Sequence, residues 1–394
     1  MDLSASVQTK SASAKKETLA LRGYTFAVYT TQAVVTSFLP LYFLDGGYSE
    51  QQIGLLYSTG PIISIVSNLI MGLASDRYRT VKKLLILLLF GQLAAMAALF
   101  PAQHFAVVCL IMAAFYFFQT PMNPLTDSMI LLSSQYTKTP YALIRIFGSL
   151  GFALAAYFLG LVLKATGPNW TLPLAWMTIS LTLILAFFLR DYRAGSSKMD
   201  FSGFFKVVGN KHVVIFFSII LLVSIPHRMY EGFLAVSMRQ MGASQSLIGL
   251  AWLASAASEI PILFLLGKYG HRFKELPLLA LAALMYGIRF WINSQVSDPH
   301  WIIVTQFMHS VSFGIFFSTA LRYISHMIPD EYRASGQAVF TVIWLGLAGA
   351  LSGTFGGMLY EQLGRTAFFQ TASVLGIAAS AAFLLNHIWL NKKP

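Results

Sequence analysis

Twelve apolar runs divide the chain, each close to the length that a helix needs to cross a bilayer core of about 30 Å. They fall near 21–44, 51–74, 83–101, 105–132, 141–164 and 171–190, and then near 212–238, 247–267, 276–295, 301–327, 334–358 and 367–390. The pattern predicts an all-α integral membrane protein of twelve transmembrane helices. Residues 1–19, rich in Ser, Ala and Lys, read as a disordered cytoplasmic tail. Residues 20–190 form an N-terminal six-helix bundle, 191–211 a cytoplasmic linker, and 212–394 a C-terminal six-helix bundle.

The two halves resemble each other. Ile53-Gly54-Leu55 returns 195 positions later as Ile248-Gly249-Leu250, and at the same shift Gly72 matches Gly267, Arg77 matches Arg272, Phe38-Leu39 matches Phe233-Leu234, and Ser49 matches Ser244. A constant shift with no gap marks an internal repeat, and parallel repeats of this kind are a transporter signature.

Composition agrees with the membrane reading. Charged residues make up 11% of the chain, against about 25% in soluble domains. The net charge of +12 does not indicate nucleic acid, because Lys and Arg gather in short loops on alternate sides. One side receives only Lys164, Arg239 and Arg365, so the positive-inside rule puts both termini in the cytoplasm of a multi-pass cell-membrane protein. Cys109 is the single cysteine, which excludes an internal disulfide. No nucleotide-binding Lys loop, metal-spaced His pair or nucleophile elbow occurs, so no enzyme activity, cofactor or metal is expected. Energy would come from an ion or solute gradient. The expected partners are a small-molecule substrate, protons and lipid, and the expected state is a monomer.

Charges inside the runs carry the candidate chemistry. Asp127, Arg145, Arg228, Glu231, Glu259 and Arg289 are three acids and three bases, the balance that pairing in low dielectric requires. His227 and His309 add groups suited to proton transfer. Asp127 and Arg145 lie near facing ends of consecutive helices, as a structural ion pair or as a solute clamp; Arg offers planar paired donors for the second role. Arg228 and Glu231, three apart on one helical face, are a self-satisfied pair or part of a site. Glu259, midway through helix eight, is the proton-exchanging carboxylate with Arg289 as partner, or else a structural charge, and His309 is a coupling group or merely a hydrogen-bond partner of a neighbour. Tyr29 and Gln32 on helix one, and Gln119 and Asn123 on helix four, suit a solute cavity, and Pro121 and Pro124 loosen helix four beside Asp127. Gly349, Gly353 and Gly357, spaced by four, predict close helix packing.

The run Gly72-Leu73-Ala74-Ser75-Asp76-Arg77-Tyr78-Arg79, read as a turn after helix two, resembles the gating motif of the major facilitator superfamily. That family usually has Gly where Arg79 stands, and the second copy has His271 in the acidic position. Helix five, Arg145-Ile146-Phe147-Gly148-Ser149-Leu150-Gly151-Phe152, resembles the branch that includes lactose permease, nucleoside–proton symporters and the phenylpropionate permease. The resemblance implies that Arg145 and Asp127 bind solute, with Phe152 stacking on it. It also implies that Glu259, Arg289 and His309 take part in proton coupling; Glu231, Arg228 and His227 join the proton-coupling candidates by their place inside helix seven. Ser312 stands where lactose permease carries its proton-binding Glu, so that site does not transfer directly.

The expected function is a proton-coupled symporter of a small organic solute, such as a sugar, nucleoside or aromatic acid, working by alternating access. A proton-driven drug or metabolite exporter is the alternative, weakened because helix five lacks the exporters' Pro-containing motif. A receptor on the same scaffold is the third.

Overall fold

The structure is a computed structural model that describes residues 3–191, 209–328 and 333–391. Every regular element among them is helical. The linker predicted over 191–211 lies almost wholly outside the described residues. Eleven segments are long and apolar enough to span a membrane. The last, Gly336–Leu390, contains two passes, because Gly364 stands at φ 76°, ψ 176° inside it. Essentially only glycine adopts that backbone conformation, and it turns the chain. Among the described residues the passes therefore number twelve.

They are α1 (Leu3–Ser37, continued by Leu39–Asp45), α2 (Glu50–Tyr78), α3 (Lys82–Leu99), α4 (Phe105–Gln119 and Met122–Thr137), α5 (Tyr141–Thr166) and α6 (Thr171–Phe187). Then come α7 (Lys211–Gln240), α8 (Gln245–Tyr269), α9 (Glu275–Gln295) and α10 (Pro299–Gln306, a π turn over Ser310–Gly314, and Ile315–Met327). Last are α11 (Arg333–Thr341, a π turn over Val342–Leu347, then 348–363) and α12 (365–391).

Two expectations need correction. α1 begins at Leu3, so helix replaces the predicted disordered tail; Ala and Lys, both strong helix formers, extend it. Its residues 17 and 18 are also tied down. Ser133 donates to Glu17 at 3.2 Å, Arg190 lies 3.7 Å from Glu17, and Thr18 bonds Thr139. The gating motif is not a turn but the end of α2, which runs to Tyr78. The chain leaves the helix at Arg79, with φ 49°. That left-handed conformation favours glycine after a helix end, which accounts for the family's usual Gly there.

Compact packing separates two units: residues 1–42 with 63–198, and residues 43–62 with 199–394. In the first, α5 lies close against α1. A Cβ at Gly148 would come within 2.7 Å of the Tyr29 ring, and Gly151 sits directly on the Phe26 carbonyl. In the second, α9 and α12 touch through Gly287 and Gly376, and Ser373 and Ser380 donate to the Gly287 and Ala280 carbonyls at 2.7 Å. Small residues and serine cross-links are the usual means of close helix contact in lipid. Large apolar side chains such as Leu110 and Phe264 are more than 70% exposed. That is an unfavourable surface in water and a normal one against lipid.

The first part of α2 packs with the second unit, although the sequence division assigns it to the N-terminal bundle. The α11 glycines make this contact: Gly353 meets Gly54 and Ser58, Gly357 meets the Glu50 carbonyl, and Gly349 meets Pro61. Polar bonds close its end: Glu361 accepts from the Gln51 N–H at 2.8 Å, and Gln240 donates to Glu50 at 2.6 Å. A side chain at Gly353 would place its Cβ 2.6 Å from the Gly54 carbonyl oxygen, too close without backbone movement. Gly353→Leu should therefore destabilise the folded chain by about 1–3 kcal/mol, the usual cost of overpacking. Thermal unfolding in detergent reads this, and an unchanged midpoint would contradict the contact.

Candidate functional site

The ionisable side chains predicted as site residues inside the passes gather in two places, one in each unit. In the first unit, α4 breaks between Gln119 and Met122, where Pro121 and Pro124 remove two backbone donors. The gap is covered from neighbouring helices: Gln92 on α3 donates to the Phe118 carbonyl at 3.3 Å, and Ser67 on α2 bonds Thr120 at 2.7 Å. Thr31, Gln92, Gln119 and Asn123 line a small cavity at the break. Asn123 also donates to Gln32 on α1 at 3.1 Å. The candidate amides on α1 and α4 thus face one another.

One turn beyond the break, Asp127 meets Arg145 of α5, with Nε 3.2 Å from Oδ1. Tyr141 donates its hydroxyl to the same oxygen at 2.9 Å. The Arg145 guanidinium lies 4.3 Å above the Tyr29 ring, a cation–π contact. Both members of the ion pair are about one-third exposed. Phe152 shares the Arg145 face of α5, seven residues on, and is half-buried. Gly72 and Arg77 lie at the end of α2, with the Arg77 guanidinium 5.9 Å from the Tyr78 ring. The Asp76 side chain is outside the described structure.

In the second unit, six predicted residues form two short chains. On α7, Arg228 donates to Glu231 at 2.6 Å, and His227 Nε2 lies 3.3 Å from the other Glu231 oxygen. The Tyr286 hydroxyl of α9 bonds His227 Nδ1 at 3.0 Å. In the other chain, Arg289 of α9 bonds His309 Nδ1 on α10 at 2.9 Å, and His309 Nε2 lies 3.1 Å from Glu259 of α8. Arg289 was expected to pair with Glu259 directly; His309 stands between them. The two chains meet where the imidazoles of His227 and His309 stack 6.0 Å apart.

Arg289 is completely buried and, among the described residues, has no carboxylate within ion-pair distance. Its guanidinium instead donates to the Gln306 amide oxygen and to His309, and lies 4.3 Å above the Tyr230 ring. Gln306 in turn donates to the Tyr230 hydroxyl at 2.8 Å, which orients the amide. An arginine offers only donors. His309 Nδ1 must therefore accept, and the neutral ring carries its hydrogen on Nε2, facing Glu259.

Two participants escaped the sequence. Tyr141 had a usable signal, since it begins α5 four residues before Arg145, on the same helical face. Trp344 had none. It sits in an apolar run, yet its ring lies 4.7 Å from His227 and its carbonyl accepts from Arg228 Nε at 3.2 Å.

Comparison with known proteins adds the following. The profile of the MFS_1 like family matches residues 18–371. The chain is 27% identical over 368 residues to a protein named "Uncharacterized transporter YwbF" of Bacillus subtilis (strain 168), covering 91% of this chain and 90% of that protein. It is 26% identical over 370 residues to a protein named "Probable 3-phenylpropionic acid transporter" of Escherichia coli (strain K12), covering 92% and 95%. The crystal structure of nucleoside transporter NupG superposes with a TM-score of 0.83 at 15% identity, covering 94% of this chain and 98% of that one.

Proposed function

The chain belongs to the MFS_1 like family of membrane transporters, and from that premise we propose that it is a proton-coupled symporter of a small organic solute, working by alternating access. The observation that carries the proton step is the chain from Arg289 through His309 to Glu259. While Arg289 donates to His309 Nδ1, that nitrogen cannot take a proton. An incoming proton must go to Glu259, or else Arg289 must first leave the imidazole. Proton loading is thereby tied to movement of α9 against α10, which is the mechanical link that symport needs. Glu231 is the poorer carrier, because one of its oxygens is taken by Arg228 and the other by His227. In this reading no cofactor is used, and the proton gradient supplies the energy.

The solute site in this proposal is the Asp127–Arg145 pair with Tyr29 and Tyr141. An acceptor beside a planar donor suits a neutral solute bearing hydroxyl or amide groups, and the same guanidinium can hold a carboxylate. A nucleoside, a sugar and an aromatic acid all meet that description. In this proposal both termini lie in the cytoplasm, a reading supported by the placement of Lys and Arg. Nothing in the chemistry of either group requires a second copy, so a monomer suffices.

Two substitutions separate the roles. Arg145→Lys keeps the charge but loses the planar fork. It should weaken solute binding by about tenfold or more, read by thermal shift against a panel of nucleosides, sugars and aromatic acids; wild-type binding in that variant would remove the clamp. Glu259→Gln cannot release a proton. One charge moving through 100 mV is worth roughly 2.3 kcal/mol, close to 50-fold accumulation of a neutral solute. Glu259→Gln in proteoliposomes should lose this uphill uptake while keeping counterflow exchange. Retained accumulation would move the proton site elsewhere.

A further inference from the structure

Helices α10 and α11 both lose regular winding beside the second-unit cluster. α10 has a π turn over Ser310–Gly314, and α11 has one over Val342–Leu347. Each is a local one-residue excess in a helix, and such turns collect at functional positions. Neither stretch contains proline, and the two turns touch: Phe313 and Trp344 lie 6.1 Å apart, ring to ring.

The α11 turn has a specific consequence. In an α-helix the Ala348 N–H would bond the Trp344 carbonyl; here it bonds Ile343 instead. The Trp344 carbonyl accepts from Arg228 Nε at 3.2 Å. The indole of the same residue is 5.7 Å from the guanidinium and 4.7 Å from the His227 ring. Trp344 is 4% exposed, so it does not meet solute directly. One residue thus touches both flanks of Glu231, through Arg228 and through His227.

We propose that Trp344 is a positioning residue for Arg228, and that the π turn sets it in place by turning its carbonyl toward α7. With the turn wound, Arg228 is held from two sides and delivers Nη1 to Glu231 at 2.6 Å. Rewinding the turn to α-helix takes the carbonyl back into the helix and leaves Arg228 without its Nε acceptor. Glu231 and His227 then lose their fixed neighbour. The positioning stands on geometry alone; its part in transport rests on the symport reading above.

The test separates the two. Arg228 is about one-fifth exposed at its side chain, so an arginine-selective dicarbonyl reagent can reach it. The full-length protein in detergent is labelled with phenylglyoxal, and modification at Arg228 is followed by peptide mass spectrometry. Removal of Leu345, which takes out the extra residue of the turn and with it the carbonyl's bond to Nε, should label Arg228 roughly fivefold faster, the factor for loss of one hydrogen bond. Trp344→Leu keeps the backbone carbonyl but removes the indole beside the guanidinium and should speed labelling about two- to fivefold. Ser352→Ala removes the neighbouring bond from α11 to the Ile225 carbonyl and should leave the labelling rate unchanged. Should Trp344→Leu fail to fold, Trp344→Phe replaces it, with an intermediate rate expected. In proteoliposomes the fast-labelling variants should lose uphill uptake and keep counterflow. Wild-type labelling rates in Trp344→Leu (or its Phe replacement) and in the Leu345 deletion would overturn the proposal, whatever the uptake. Faster labelling with no proton-linked uptake in any chain, wild type included, would support the positioning and sink the symport reading.

Discussion

The Arg289 guanidinium is wholly buried, and the side chains around it meet its charge at both terminal nitrogens while Nε is left without a hydrogen-bond partner. Burying an unpaired ion costs several kcal/mol. Here the compensation comes from the Gln306 amide oxygen, His309 Nδ1 and the Tyr230 ring face. Each acceptor is then committed. Gln306 turns its amide nitrogen to Tyr230, and His309 turns its remaining nitrogen to Glu259. A tight turn in α10, in which Phe307 and Met308 bond back only three residues, brings Gln306 and His309 to the same cation. The irregular helix and the buried charge require each other.

The pattern of apolar runs carried most of the fold. Run boundaries and helices agree because a membrane pass needs a continuous apolar segment and little else. Gly349, Gly353 and Gly357 also announced their contact, since spacing by four puts glycines on one helix face. Hydropathy could not reveal the company that a segment keeps. The first part of α2 belongs to the same apolar span as its remainder, yet it packs with the second unit. The N-terminal residues misled for a related reason: Ser, Ala and Lys suit both a disordered tail and the start of a helix.

The candidate charges were legible because a charge inside an apolar run has few reasons to be there. Their wiring was not. Arg289 and Glu259 have opposite charges on consecutive helices, which suggests a direct pair; only coordinates put His309 between them. The π turns were invisible, because one extra apolar residue in an apolar helix changes neither length nor hydropathy noticeably. Trp344 went unnoticed for the same reason, although its carbonyl serves Arg228. The first unit carries a simpler group, Asp127 with Arg145, Tyr29 and Tyr141, in which no imidazole takes part. This division of chemistry is the basis for assigning solute recognition to the first unit and proton exchange to the second.

The proposed symport has a direct thermodynamic consequence: solute entry carries protons in with it. Purified protein in liposomes, with a pH-sensitive dye trapped inside and equal pH on both sides, measures this. The solute added outside is whichever of a nucleoside, a sugar and an aromatic acid the protein is found to bind. The account predicts that solute entry acidifies the interior, and that the pH change is absent from liposomes containing Glu259→Gln. Solute entry without any pH change, or with internal alkalinisation as an antiporter would give, would contradict it.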